Sequence, residues 1–160
     1  MDPSHHGIEW IDNKLGLYLS QDIQAHHVFD FMIQELAGDL KIIVSSFAIT
    51  EPWVRRLIRS RDRVNHITLF LDFTVASRKP RNTDYAARNV DELFLTNNHS
   101  KTIYMENGND RILAMMSNNA TNNRRFESGV LFKNHQAIEL YLNYIELMKL
   151  ECVKWMTKLN

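Results

Sequence analysis

The order of three predicted elements in the first half of the chain limits most strongly how it can fold. Residues 40–44 form a β-rich apolar run that ends in small polar residues, and residues 66–71 form a second such run. Between the two runs, Thr50 is placed to cap a helix over residues 51–61 and Pro52 falls in its first turn. A strand, a helix and a second strand in this order predict a parallel pair joined by a right-handed crossover.

The other segments predict one mixed sheet flanked by helices. Helices are predicted over 23–36, 85–90 and 135–155, and strands over 92–96, 102–105, 112–116 and 128–132. The polar stretch 73–83 predicts a loop, and the structure of residues 1–20 is left open. Because no repeat, low-complexity tract or linker interrupts the chain, we expect residues 1–160 to form a single α/β domain.

Composition excludes several classes of protein. The 19 basic and 19 acidic residues give a formal net charge of zero, so the whole molecule exerts no attraction on polyanions. The single cysteine, Cys152, cannot form an intrachain disulfide, which favours a reducing compartment. Residues 1–6 do not resemble a secretory signal, and the longest apolar run, 40–49, is about half of a membrane span. We therefore expect a soluble, cytoplasmic protein that does not associate with membranes.

A histidine and a lysine two positions apart precede a loop rich in short polar side chains. His99 and Lys101, if extended, point to one face, where the ring can act as a nucleophile and the ammonium can neutralise a phosphate. The loop that runs from Ser117 to Asn123 follows a neighbouring strand, and Glu127 follows the loop. A polar turn is the simpler interpretation of so many asparagines. The position of the loop beside His99 favours a phosphate-ester site instead.

These motifs carry a family resemblance. The pattern His99-x-Lys101, Ser117-x-Asn119-x-Thr121-x-Asn123 and Glu127-Ser128-Gly129 resembles the signature of the phospholipase D superfamily of phosphodiesterases and nucleases. The resemblance covers most of the chain from about residue 20 onward. It implies a phospholipase D-like fold and phosphodiester chemistry without a metal or cofactor.

The resemblance also implies a role for each site residue. His99 is the expected nucleophile, which forms a phosphohistidine, and Glu127 is expected to hold the far nitrogen of its ring. Lys101 is expected to be catalytic and to hold phosphate oxygens together with Asn119 and Ser117. Asn123 in the motif and Arg124 next to it are further candidates for binding substrate phosphate. Fixed donors of this kind stabilise the charge that develops during phosphoryl transfer.

Two positions depart from the family pattern. Glu106 stands where the family usually has an aspartate, and Met116 stands where it usually has a glycine before the loop serine. Glu106 keeps the charge on a longer arm. The departures leave open a second hypothesis, a catalytically inactive nucleic-acid-binding module on the same fold.

The chain has one His-x-Lys motif, whereas the superfamily's chemistry uses two histidines. The other histidines lack a lysine two positions later; they are His5, His6, His26, His27, His66 and His135. We therefore expect a homodimer in which each chain gives one histidine to a shared site.

The sequence favours a nuclease over a lipid hydrolase, because no apolar entrance or interfacial helix is evident. We expect the partner to be nucleic acid, with DNA favoured over RNA. Two basic clusters, over residues 55–63 and 78–81, are either solvated helix faces or a track for phosphates. A third hypothesis is an interaction protein that works through its last helix.

Overall fold

A computed structural model describes residues 7–121 and 125–155. The described strands are β1 (Glu9–Trp10), β2 (Leu15–Ser20), β3 (Leu40–Ser46), β4 (Val64–Asp72), β5 (Glu92–Thr96), β6 (Thr102–Glu106), β7 (Arg111–Met116), β8 (Glu127–Lys133) and β9 (Val153–Lys154). The described helices are α1 (Ala25–Glu35), α2 (Glu51–Arg59), α3 (Phe73–Arg78), α4 (Pro80–Ala87) and α5 (Ala137–Glu151).

The strands form one mixed sheet in the order β1-β2-β8-β7-β6-β3-β4-β5-β9. Strands β3 and β4 pair in parallel on either side of the α2 connection, which confirms the predicted parallel pair, and β5 extends it in parallel. Strands β6, β7 and β8 run antiparallel to their neighbours. The predicted class, a mixed-sheet α/β fold flanked by helices, is confirmed.

Each face of the sheet has its own apolar core. Buried residues of α1 and α2, such as Phe29, Met32 and Leu57, pack with Ile42 and Val44 of β3 on one face. On the other face, Ile145 of α5 packs with Phe70 and Phe94, and Ile138 packs with Tyr104 and Leu113 in a neighbouring cluster. The period-two alternation of each strand therefore separates the cores of the two faces.

The predicted loop over residues 73–83 is wrong, because two short helices occupy it. The side chain of Asp72 accepts a hydrogen bond from the Thr74 amide at 2.9 Å and caps α3. Pro80 then occupies the first turn of α4, where a proline costs no hydrogen bond. The cap from Asp72 and the proline at the start of α4 favour helices more strongly than the polar composition favours a loop. The helix predicted over 85–90 corresponds to α4, which begins at Pro80 and ends at Ala87.

The two ends of the described chain join the sheet at its edges. Residues 9–10 and 15–20, which the sequence leaves open, form β1 and β2. The predicted terminal helix ends at Glu151, and Val153–Lys154 pairs with β5 as a short antiparallel strand. None of the helices within 7–121 and 125–155 is long and apolar enough to cross a bilayer. The assignment of residues 1–160 to a single domain stays a prediction.

Candidate functional site

An open cleft of about 460 Å³ lies at one edge of the sheet, where β6 begins and β7 ends. Its lining residues are His99, Ser100, Lys101, Thr102, Met115, Met116 and Ser117. Strand β3 runs antiparallel to β6, and β4 and β5 run parallel to β3. The carboxyl ends of β3, β4 and β5 therefore lie at the same edge as the start of β6. Several chain segments therefore deliver side chains to one place.

The histidine and lysine of the motif lie in an irregular segment immediately before β6, not on a strand as expected. The side chains nevertheless meet, with Lys101 Nζ 3.1 Å from His99 Nδ1. The Lys101 ammonium also donates a 2.7 Å hydrogen bond to the carbonyl of His99. The Phe47 ring lies beside the imidazole, with 5.2 Å between ring centroids. The imidazole is exposed and is held on one side by Lys101 and on the other by Phe47.

A buried asparagine fixes the backbone of this segment. Asn98 is 4% exposed; its side-chain oxygen accepts hydrogen bonds from the Ser100 amide at 2.9 Å and the Ser100 hydroxyl at 2.6 Å. Its side-chain nitrogen donates to Ser45 Oγ at 2.9 Å. Ser45 and Ser100 are also in contact, with 2.6 Å between their hydroxyl oxygens. Sequence reasoning missed Asn98; the available signal was an amide residue directly before the histidine, at the end of a buried strand.

Asp72 joins this network from the end of β4. Its carboxylate accepts a 3.0 Å hydrogen bond from the Asn98 amide, in addition to those from Thr74. Burial opposes ionisation of Asp72, but the hydrogen bonds from Thr74 and Asn98 outweigh it and hold the pKa of the carboxyl below its usual value. Asp72 therefore caps a helix, as its strand-end position suggests, and also positions the segment that carries His99.

The polar loop after β7 is anchored on both sides. Asn118 is 2% exposed; it accepts a hydrogen bond from the Tyr18 hydroxyl and donates to the carbonyl of Ile23 at 3.0 Å. The Ala120 amide donates to Ser46 Oγ at 3.0 Å, and its carbonyl accepts from the Thr50 amide at 3.1 Å. These bonds tie the loop to the ends of β2 and β3. The loop is therefore fixed by hydrogen bonds to the rest of the fold and is not only a polar turn.

Glu127 is linked to the cleft by a hydrogen bond from Ser117. The Ser117 hydroxyl donates to the Glu127 carboxylate and also accepts from the Ser128 amide at 3.0 Å. The pKa of Lys101 lies below its usual value because burial disfavours the ammonium, and the negative charge of Glu127 offsets part of that effect. Burial raises the pKa of the Tyr18 hydroxyl, and the charge of Glu127 raises it further. The carboxylate is thus close enough to act electrostatically on both Lys101 and Tyr18.

The structure brings some of the predicted site residues together. His99, Lys101 and Ser117 line the same cleft, and Glu127 is bonded to Ser117. The side-chain oxygen of Asn119 is buried without a hydrogen-bond partner among the described residues. The expected bond between Glu127 and the far ring nitrogen of His99 stays a prediction, since that nitrogen lies beside Lys101 here.

Two other predicted positions lie outside the described residues, and Glu106 lies away from the cleft. Asn123 and Arg124 lie outside the described residues, and their roles stay predictions. Glu106 pairs with Lys41 and Arg111 at the far end of β6, about 13 Å along the strand from Thr102 at about 3.3 Å per residue. Its carboxylate accepts a 2.8 Å hydrogen bond from the Tyr104 hydroxyl. An ancillary role for Glu106 in the cleft is therefore not supported by its position.

The two basic clusters differ in their surroundings. In the first, Arg56 pairs with Asp30 at 3.0 Å and Arg61 pairs with Asp91 at 2.8 Å, so part of its charge is neutralised within the chain. The second cluster, residues 78–81, is exposed where α3 ends and α4 begins. Within the described ranges, no group of three or more histidine, cysteine or acidic side chains is placed to hold a metal ion.

Comparison with solved structures identifies the fold. The chain superposes on a phospholipase D family member, Nuc from Salmonella typhimurium, with a TM-score of 0.68 and 16% identity over 88% of this chain and 97% of that one. NucT from Helicobacter pylori matches with a TM-score of 0.69 and 13% identity over 89% and 99% of the two chains. No family model matches the sequence, and no curated protein matches it.

A third match has a different description. TrmBL2, an archaeal chromatin protein reported to show a novel mode of DNA binding, matches with a TM-score of 0.55 and 15% identity over 90% of this chain and 55% of that one. At these identities the comparisons show a shared fold. The phospholipase D-like fold that the motifs imply is therefore confirmed.

Proposed function

We propose that this chain is a metal-independent phosphodiesterase, and specifically a nuclease, that uses His99 as its nucleophile. One observation carries the proposal: His99, Lys101 and Ser117 line a single cleft on a phospholipase D-like fold, with Glu127 bonded to Ser117. The β6–β7 hairpin accounts for part of this convergence, because it pairs Thr102 with Met115 and so brings Lys101 and Ser117 together at its open end.

The proposed reaction has two displacement steps. The Nε2 atom of His99 attacks phosphorus, the bond to the leaving oxygen breaks, and a second histidine gives that oxygen its proton. Water, deprotonated by the second histidine, then attacks the phosphohistidine and releases His99. Lys101 and the polar loop supply positive charge and hydrogen-bond donors to the phosphoryl oxygens. The second histidine is His99 of a second copy of the chain, which makes the working enzyme a homodimer.

Lys101 has to change partner for this chemistry. An ammonium only donates hydrogen bonds, so in the present arrangement Nδ1 of a neutral His99 ring is the acceptor and the proton sits on Nε2. Attack through Nε2 requires the opposite tautomer. We infer that substrate phosphate draws Lys101 away from the ring, and that Glu127 then accepts a proton-sharing hydrogen bond from Nδ1. Catalytic hydrogen bonds often form only in the substrate complex.

Nucleic acid is the proposed substrate because an exposed cluster of cations follows β4, whose carboxyl end lies at the same edge of the sheet as the cleft. Arg78, Lys79 and Arg81 are exposed on α3 and α4, which follow directly from Asp72 and its bond to Asn98. We propose that these cations bind backbone phosphates of a polyanion that extends past the cleft. A lipid substrate would not need them.

The test compares the wild-type chain with His99→Ala on a chromogenic phosphodiester and on plasmid DNA, both in the presence of EDTA. We expect cleavage by the wild type that the chelator does not affect, and a loss of about 10³-fold or more in the variant, since the nucleophile is removed. Retained activity in His99→Ala, or loss of wild-type activity with EDTA, contradicts the proposal.

A second candidate is a nucleic-acid-binding module without catalysis. It is favoured by Met116, whose side chain lines the cleft where the family has a glycine, and by the position of Glu106 outside it. The similarity to a DNA-binding chromatin protein is consistent with such a use of the fold. Salt-dependent DNA binding by the wild type, with no phosphohistidine trapped on rapid quenching, supports this candidate over the first.

A further inference from the structure

Three phenylalanines lie at the edge of the sheet that holds the cleft. Phe47 follows β3, Phe73 follows β4 and Phe126 precedes β8. The carboxyl ends of β3 and β4 lie at this edge, and β8 begins there because it runs antiparallel to β7, which ends at the cleft. Segments that are far apart in the sequence therefore bring aromatic residues to the same edge.

Two of the phenylalanines are on the side of the cleft formed by β3 and β4. The Phe47 ring is partly exposed and packs against the imidazole of His99, with 5.2 Å between ring centroids. Phe73 directly follows Asp72, whose carboxylate accepts a 3.0 Å hydrogen bond from the amide of Asn98, the residue before His99. The chain at Phe73 therefore lies beside the segment that carries the proposed nucleophile.

The third phenylalanine is on the opposite side of the cleft. Phe126 directly precedes Glu127, whose carboxylate accepts a hydrogen bond from Ser117, a residue that lines the cleft. In the sheet, β8 lies on one side of β6 and β7, whereas β3 and β4 lie on the other side. The aromatic residues therefore flank the cleft from both sides.

Phe73 and Phe126 are also the most exposed phenylalanines of the chain. Of eight phenylalanines, all within the described ranges, Phe73 is 40% exposed, Phe126 is 68% exposed and the other six are buried or partly buried. Apolar side chains that are exposed singly are common on protein surfaces, but exposed apolar groups that adjoin a cleft mark a binding surface. These two phenylalanines therefore lie where a substrate that extends from the cleft on either side would reach them.

Positive charge accompanies each exposed phenylalanine. Arg125 directly precedes Phe126 and is exposed. Helix α3 begins at Phe73 and ends at exposed Arg78, which lies about 8 Å further along the axis at about 1.5 Å per residue, and exposed Lys79 follows. Flat aromatic rings next to cations are the combination that binds single-stranded nucleic acid, because bases stack on the rings while the cations contact backbone phosphates.

We propose that Phe73 and Phe126 stack on the bases that flank the scissile phosphate, and that they make single-stranded nucleic acid the preferred substrate. The proposal rests on the proposed function, which places the scissile phosphate at His99. In a duplex the faces of each base are covered by neighbouring base pairs, so a protein ring can stack only on the bases of an unpaired strand. Phe47 supports the His99 ring, with which it is already in contact.

The experiment measures DNA affinity by fluorescence anisotropy in a His99→Ala background, so that the proposed reaction cuts no probe. The probes are a labelled single strand of mixed sequence, the same strand annealed to its complement, and the same strand with abasic sites in place of its bases. The variants are Phe73→Leu and Phe126→Leu, because leucine is apolar but has no flat ring. Tyr144→Leu is the matched control, since Tyr144 is an aromatic residue on α5 with 60% exposure.

We expect the single strand to bind at least about fivefold more tightly than the duplex or the abasic strand. Phe73→Leu and Phe126→Leu should each raise the Kd of the single strand at least about fivefold, since one stacked base contributes that much or more. They should change the Kd of the abasic strand by less than about twofold, because it has no bases to stack. Phe126→Trp should restore tight binding, since an indole ring also stacks on bases. The control should leave all three affinities within about twofold.

Several outcomes overturn the proposal. They are leucine variants that bind the single strand as tightly as the parent chain, an equal loss with the abasic strand, a duplex that binds as tightly as the single strand, and an equal loss in Tyr144→Leu. Light scattering checks molar mass at the same concentrations, and a loss of binding that accompanies a change in mass would assign the ring to a contact between chains. Circular dichroism checks folding, and two variants at separate positions guard against one failing to fold.

Because binding is measured without cleavage, failure of the stacking residues is separable from failure of the enzyme. A wild type that cleaves no phosphodiester but binds single strands through Phe73 and Phe126 keeps the stacking residues and ends the proposed catalysis. A wild type that cleaves the chromogenic phosphodiester in EDTA but has no ring-dependent preference for single strands keeps the enzyme and ends this proposal.

Discussion

At the scale of single residues, the site depends on a side chain that has no expected chemical role. The buried Asn98 side chain bonds the Ser45 hydroxyl and the Ser100 amide, and its own backbone amide donates to the Asp72 carboxylate. A buried amide that satisfies this many groups fixes the segment in one conformation. The position of His99, the proposed nucleophile, is therefore determined by its neighbour.

We expect Asn98→Ala to destabilise the fold by about 1–3 kcal/mol, since it removes the buried side-chain amide that bonds the Ser45 hydroxyl and the amide and hydroxyl of Ser100. We also expect kcat/KM to fall by about 10²-fold from misplacement of His99. Urea unfolding and phosphodiester cleavage measure the two effects. Asn97→Ala is the control, because Asn97 is its exposed neighbour and should change stability by less than about 0.5 kcal/mol. Equal effects of the two variants would contradict the role given to Asn98.

The lowered pKa of Lys101 gives a prediction for pH dependence. Burial makes this ammonium lose its proton at a lower pH than a free lysine, whose pKa is about 10.4. If the cation binds substrate phosphate, kcat/KM should fall on the alkaline side at a pH below that value. Lys101→Arg should remove this alkaline fall, whatever its effect on the rate, because a guanidinium stays protonated. An alkaline fall at the same pH in Lys101→Arg would show that another group titrates.

At the scale of elements, Tyr18 of β2 packs against β8 and also holds the loop after β7. The Tyr18 ring of β2 lies so close to Gly129 of β8 that a Cβ there would sit 2.7 Å from the ring Cζ. The same tyrosine hydroxyl bonds Asn118 in the loop. The glycine of the Glu127-Ser128-Gly129 motif is therefore needed for space and not for an unusual backbone angle.

We expect Gly129→Ala to cost about 1–3 kcal/mol of stability through overpacking against Tyr18. In a Tyr18→Ala background the ring is gone, so the same change should cost much less, and the two effects should not add. Urea unfolding of the four chains of this double-mutant cycle measures the coupling. Additive costs would mean that the glycine is required for another reason.

The spacing of apolar residues predicted the strands that are buried along most of their length. It failed where a helix begins because of a capping residue or a proline. The runs over 40–44 and 66–71 become β3 and β4 because their apolar residues fill both faces of a central pair. Residues 73–83 look like a loop by composition, but Asp72 and Pro80 begin helices there. The sequence predicted which side chains line the cleft, since His99 and Ser117 belong to recognisable motifs. It did not predict the hydrogen bonds of Asn98, because they depend on which strand ends lie next to each other in the sheet.

At the scale of the whole molecule, the proposed enzyme is a pair of chains with one shared site. Mixing wild type with an equal amount of His99→Ala and allowing exchange tests this directly. If each reaction needs both histidines, only pairs of two wild-type chains are active, and activity should be about a quarter of that of the same total amount of wild type. Independent sites predict about half. Before exchange, the same mixture should also give half, which serves as its internal control.

The sheet has a very short strand at each of its two edges among the described residues. Its outermost described strands, β1 and β9, have two residues each, and Lys154 on β9 is held by Glu92 at 2.9 Å. Strands this short expose few unpaired amides and carbonyls to a neighbouring molecule, so they resist the ladder growth that produces fibrils. Apolar side chains such as Leu17 and Leu19 can therefore stay exposed on the face of the sheet without the added risk of growth from its edges.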